Sequence, residues 1–191
     1  MRRAMRFALD AAVYSTRIMI LDRGKAMHFK RLRTFAAVVV VSVAVMASAQ
    51  SGTVLKPADM QKLLPATVYY KGQSAPVQLR NSSGVKFADG YNLLAAMVDT
   101  SGYSSDVSAK YQAYFITEVT VKLGGQVLPA GVYGAGIVGG KFVITDVGGH
   151  DLLTSPMATD DAIKHPMPLQ FISTGGGYRL YLGRQFVTIS R

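Results

Sequence analysis

Ala113-Tyr114-Phe115-Ile116-Thr117-Glu118-Val119-Thr120-Val121-Lys122-Leu123 alternates two kinds of side chain. Ala113, Phe115, Thr117, Val119 and Val121 fall on one side of an extended chain. Tyr114, Ile116, Glu118, Thr120 and Lys122 fall on the other. Neighbouring side chains of a strand point to opposite faces, so this pattern, turning polar along its second face, predicts a half-exposed antiparallel strand. Gly124-Gly125 follows and supplies the positive φ angles of a tight hairpin.

The same pattern repeats on both sides. Val132–Val138 and Lys141–Val147 flank Gly139-Gly140. Leu169–Ser173 and Tyr178–Leu182 flank Thr174-Gly175-Gly176-Gly177, and Gly183-Arg184 turns into Gln185–Ser190. Upstream, Thr67–Lys71 and Ala75–Arg80 are β-prone runs around Lys71-Gly72-Gln73-Ser74. Asn81-Ser82-Ser83-Gly84 and Ala88-Asp89-Gly90 read as turns, and Thr100–Asp106 as a polar loop. Tyr91–Asp99 is apolar throughout, and its period does not choose between a buried strand and a short helix. Lys56–Pro65 predicts one short helix, with Pro57 in the first turn, Asp59 at the positive end and Pro65 as the stop. Short strands joined by glycine turns define an all-β, antiparallel sandwich (or small barrel) with one short N-terminal helix.

The segment ahead of this domain has a different character. Phe35–Met46 is a twelve-residue apolar run. It follows Lys30-Arg31-Leu32-Arg33 and leads into Ala47-Ser48-Ala49. A basic region, a short apolar region and small residues before the exit describe a secretory signal peptide over residues 27–49, cleaved after Ala49. The run falls short of the ~20 residues a spanning helix needs. Met27 is the expected start, which makes residues 1–26 an untranslated or disordered extension. Gln50–Lys56 reads as a flexible leader, and residues 57–191 as a single β domain. With no cysteine, the core must hold that domain without disulfides. Nine of the 21 Lys/Arg and two of the 11 Asp/Glu fall within residues 1–49. That leaves 12 against nine, a net +3, scattered singly over the rest, so no basic patch points to nucleic acid.

Leu128-Pro129-Ala130-Gly131-Val132-Tyr133, with the Val119–Gln126 stretch before it, resembles a hairpin of secreted bacterial β-sandwich families of unknown function. There a strand ends at a glycine turn and Leu-Pro-Ala-Gly-x-Tyr opens the next. The resemblance covers about thirty residues on this strand-and-turn pattern and implies a fold class, with no catalytic residues to carry over.

Candidate chemistry is sparse. Gly134-Ala135-Gly136-Ile137-Val138-Gly139 spells G-x-G-x-x-G, but a strand pattern follows where a dinucleotide site needs a helix, so no cofactor is expected. Asp146, His150 and Asp151 place two carboxylates and an imidazole in one loop, a candidate metal site to which His165 or Asp160-Asp161 could add a ligand. The competing reading is a turn in which Asp caps backbone amides. No G-x-S-x-G elbow accompanies His150 or His165, and no catalytic residue is assigned. Nine of the ten tyrosines lie beyond residue 49. Tyrosine serves strand packing, its more common role, or a ligand face that uses both its apolar ring and its hydroxyl. Tyr178, Arg179 and Tyr181 are the ligand-face candidates, with Arg179 and Tyr181 sharing one side of their strand as an exposed cation–aromatic patch. The expectation is an exported, non-enzymatic module, periplasmic or extracellular, whose partner is an envelope component or a small ligand. A small outer-membrane barrel and an enzyme using the Asp146–Asp151 loop are the alternatives.

Overall fold

The structure, a computed structural model, describes residues 52–191; the expected extension and signal peptide lie outside them. Two antiparallel sheets face each other. The larger has eight strands in the order β1-β3-β4-β5-β8-β9-β10, with β2 also pairing β3. They are β1 (Thr53–Leu55), β2 (Thr67–Tyr70), β3 (Gln73–Lys86), β4 (Asn92–Val98), β5 (Ala113–Thr117), β8 (Gly131–Val138), β9 (Lys141–Thr145) and β10 (Asp151–Pro156). The smaller has six strands in the order β12-β13-β14-β6-β7, with β11 pairing β14. These are β6 (Val121–Leu123), β7 (Gln126–Leu128), β11 (Ala158–Thr159), β12 (Gln170–Thr174), β13 (Gly177–Leu182) and β14 (Gln185–Ser190).

Val85, Leu93, Ala95, Phe115, Phe142, Ile144, Leu180, Val187 and Ile189 fill one core with side chains from both sheets. A second core occupies the other face of the large sheet. There Met60, Leu64, Val68 and Tyr70 cover Leu94, Ala96 and Val98. Strand β4 is therefore buried on both faces, Leu93 and Ala95 in one core and Leu94, Ala96 and Val98 in the other. That is why its sequence is apolar without a period.

The segment Ala113–Leu123 is two strands, not one. β5 belongs to the large sheet and β6 to the small one. The chain crosses between them at Glu118–Thr120, where Glu118 N–H donates to the Asn92 carbonyl at 3.0 Å and Thr117 Oγ1 donates to the Val119 carbonyl. Ala113, Phe115, Thr117, Val121 and Leu123 are all buried because both sheets wrap the same core. The alternation therefore survives the corner.

The expected hairpins form. Leu123 pairs with Gln126 across Gly124 (φ 57°) and Gly125 (φ 84°). Val138 pairs with Lys141, and Thr174 pairs with Gly177. The short helix also forms, as α1 (Pro57–Met60), where Lys56 N–H donates to Asp59 Oδ2 at 3.0 Å.

Three expectations change. Part of the expected flexible leader, Thr53–Leu55, is edge strand β1, paired with Gly84–Lys86. The expected turn at Asn81–Gly84 is interior to β3. Its register against β4 slips between Gln78 and Ser82, so residues 79–81 bulge and the strand then continues. Ser82 Oγ donates to the Leu79 carbonyl, and Asn81 Nδ2 donates to Gln78 Oε1 at 2.8 Å. Satisfied inside the bulge, these polar groups only imitate a turn. Finally, the polar stretch from Thr100 leads into a second helix, α2 (Ser105–Lys110). Six residues are too few to show a helical period, although Asp106 and Lys110 sit at the ends that the helix dipole favours.

One hydroxyl links the two sheets. Ser83 Oγ donates to the Leu55 carbonyl of β1 at 3.1 Å and accepts from the Phe171 amide of β12 at 3.2 Å. Ser83→Ala leaves that buried amide unpaired, and chemical denaturation should show a loss of about 1–3 kcal/mol.

Candidate functional site

The turn after β9 is built around one carboxylate. Asp146 Oδ1 accepts from the amides of Gly148 and His150, both at 2.9 Å. Asp146 Oδ2 lies 2.9 Å from His150 Nδ1. The His150 amide, followed by its ring, holds the Asp146 carboxyl below the usual carboxylate range. Asp151 does not join this pair. Its Oδ1 lies 2.7 Å from Lys110 Nζ at the end of α2. The three sequence neighbours thus serve two separate contacts, and among the described residues no group of three His, Cys, Asp or Glu side chains is placed to hold a metal. His165 and Asp161 join neither contact, and Asp160 is engaged elsewhere.

A depressed folded pKa contributes stability that is present above the unfolded carboxylate pKa and lost as the pH falls through the folded value. Acidification should therefore lower the protection of the Gly148 and His150 amides, measured as exchange relative to the intrinsic rate at each pH. In Asp146→Asn this acid-dependent part of the exchange should vanish; an unchanged acid response would assign it to another group.

The second candidate, on β13, divides between two faces. Tyr178 points into the inter-sheet core, where its hydroxyl accepts from the Gly52 amide at 2.7 Å and its ring meets Phe87 edge-on at 6.0 Å. Arg179 and Tyr181 share the outer face, as expected, but that face is covered at Tyr181. Tyr181 is 1% exposed. Its hydroxyl donates to Asp160 Oδ2 at 2.8 Å, and Arg179 lies 3.7 Å from the same carboxylate. The Arg179 guanidinium sits 4.3 Å over the ring of Phe186 rather than over Tyr181. The covering segment runs from β11 to β12. It is tied down by Asp160 N–H to the Arg184 carbonyl at 3.0 Å and by Gly183 N–H to the Met167 carbonyl at 3.1 Å. Sequence reading missed this cover because a two-residue strand carries no period. Of the expected exposed patch, Tyr181 is buried in a polar and aromatic network and Arg179 keeps a partly exposed side chain.

The glycine motif has a packing role. β8 continues through Gly139-Gly140 into β9 with no helix between them. A Cβ on Gly134 would lie 2.6 Å from both Thr145 Oγ1 and Tyr111 Cδ2, and one on Gly136 would lie 2.3 Å from the Ala109 carbonyl oxygen. The missing side chains let aromatic rings and the end of α2 lie directly on the sheet. The Leu-Pro-Ala-Gly-x-Tyr stretch is also local architecture, since Tyr133 folds over Gly131 and donates to the Pro129 carbonyl at 3.0 Å.

The tyrosines that gather are Tyr70, Tyr103 and Tyr111. Tyr70 and Tyr111 stack at 3.7 Å and 9°, and Tyr103 stands edge-on to each at 6.3 Å. The Asp146–His150 turn borders this cluster. Lys71 N–H donates to the Val147 carbonyl at 2.9 Å, and a methyl on Gly149 would lie 3.4 Å from the Tyr70 hydroxyl. The sequence supplies the tyrosines, but only the sheet order brings β2, α2 and the β9–β10 turn together.

No family model, curated protein or solved structure matches this chain.

Proposed function

We propose that the chain is an exported, non-enzymatic β-sandwich protein, a binding or envelope-associated module that works in the periplasm or outside the cell. One observation carries the reading. The Gly52 amide is bonded to Tyr178 and β1 starts at Thr53, so the expected cleavage after Ala49 would leave every described strand whole. The composition agrees with an exported domain that dispenses with disulfides, since two apolar cores of a single chain supply its stability. Asp146 and His150 hold each other and their own turn, and Asp151 is paired with Lys110, which favours architecture over catalysis at this loop. The two-sheet arrangement with apolar side chains between the layers favours a sandwich in water over a membrane barrel, whose apolar band faces outward.

Expression in a bacterial host followed by cell fractionation tests this. The protein should be recovered in the periplasmic or culture fraction without detergent. Retention in the cytoplasm would refute export, and extraction from membranes by detergent alone would favour a membrane barrel or an uncleaved anchor.

A further inference from the structure

The segment that covers Tyr181 is anchored at both ends and loose between them. Met157 packs against the inter-sheet core, and Leu169 is buried in it. None of residues 158–168 is buried. They are held by hydrogen bonds: the two-residue ladder of β11 on β14, Asp160 N–H to the Arg184 carbonyl, Gly183 N–H to the Met167 carbonyl, and the Arg184 side chain to the Asp161 and Ile163 carbonyls. A stretch with no buried side chain and solvent-exposed hydrogen bonds belongs to the low-stability end of a fold and opens before the cores do.

Asp160 ties this stretch to the groups beneath it. Its Oδ2 accepts from the Tyr181 hydroxyl at 2.8 Å and lies 3.7 Å from Arg179 Nη1, and its Oδ1 accepts from the Ala162 amide at 3.1 Å. Arg179 Nη1 also donates to the Tyr181 hydroxyl at 3.3 Å, while its guanidinium lies 4.3 Å over the Phe186 ring. The Tyr181 and Phe186 rings stand 5.1 Å apart. A guanidinium fixed on an aromatic floor beside a phenol donor supplies what a carboxylate needs, a positive charge and a directed O–H. The Arg179 side chain is 39% exposed, so one side of this group already faces water.

We propose that residues 158–168 form a lid, latched by Asp160, over a site for a small organic acid, and that the Asp160 carboxylate is the site's built-in occupant. When the lid lifts, Asp160 leaves with it, and Arg179 and Tyr181 on their Phe186 floor face water with both donors free. A carboxylate fits there because it replaces both contacts that Asp160 makes. A neutral or cationic group leaves the Arg179 charge unmatched. The site is independent of export, so cell fractionation and the experiment below fail separately.

Amide hydrogen exchange of the purified protein, taken relative to intrinsic rates, tests both parts with formate as the probe. In the wild type the Gly183 amide, which bonds the lid, should be less protected than the amides of β4. Asp160→Ala should lower Gly183 protection at least about tenfold and leave β4 unchanged. Formate is the carboxylate that this variant lacks. It should restore the protection saturably, whereas chloride at the same concentration should not. Adding Arg179→Gln or Tyr181→Phe should abolish the response to formate. Asp160→Asn keeps the shape and drops the charge, and it carries the exchange test if the alanine variant does not fold. The lid falls if Gly183 exchanges only together with β4, or keeps its wild-type protection in Asp160→Ala or Asp160→Asn. The carboxylate site falls if formate and chloride act alike, or if formate still acts once Arg179 or Tyr181 is replaced.

Discussion

Gly136→Ala is expected to lose about 3 kcal/mol in chemical denaturation, although it adds a single methyl group. The added carbon would lie 2.3 Å from the Ala109 carbonyl oxygen and 2.7 Å from the Lys110 carbonyl carbon. Both are backbone atoms, so no side-chain rotation relieves the clash. The end of α2 must lift from β8, and with it Lys110, which holds Asp151, and the stacked Tyr111. Gly176→Ala is the control. Nothing lies within 4 Å of its would-be Cβ, and a change within about 0.5 kcal/mol is expected there. A neutral Gly136→Ala would mean that α2 does not rest on the sheet and that the glycine motif serves another purpose.

Phe115→Ala should cost about 4 kcal/mol. Phe115 is fully buried at the centre of β5, in the core shared by the two sheets. Truncation removes the ring's burial and leaves a cavity that the paired neighbours Ala95 and Tyr133 cannot close without breaking register. Val127→Ala, at a side chain 62% exposed on β7, should change stability by less than about 0.5 kcal/mol. Equal small losses at both positions would contradict a sandwich whose layers meet at Phe115.

Strand periodicity and glycine turns were legible because each depends on neighbours in the chain. The Gly124-Gly125 and Gly139-Gly140 hairpins close where the sequence places them. Where a corner or a cover is made by distant residues, the same reading fails in a definite way. Ala113–Leu123 keeps its alternation across two sheets, because an inward side chain is inward in either layer. Asn81–Gly84 looks like a turn because serine favours turns, yet Ser83 is a buried link to β1 and β12. Tyr91–Asp99 could not be resolved because β4 is covered on both faces.

The candidate site shows the same limit. That Asp146 would cap its own turn was one of the two readings open from the sequence, since all its partners lie within four residues. That Asp151 would turn to Lys110, and that Asp160 would reach Tyr181, depended on pairings 41 and 21 residues apart. The stacked pair of Tyr70 and Tyr111 is joined through sheet order alone.

The most direct test of the account is the amino-terminal sequence and intact mass of the protein recovered from outside the cytoplasm. The account predicts a single species starting at Gln50, three residues before β1, with both cores complete. A chain that still carries Phe35–Ala49, or one cut inside β1, would contradict it.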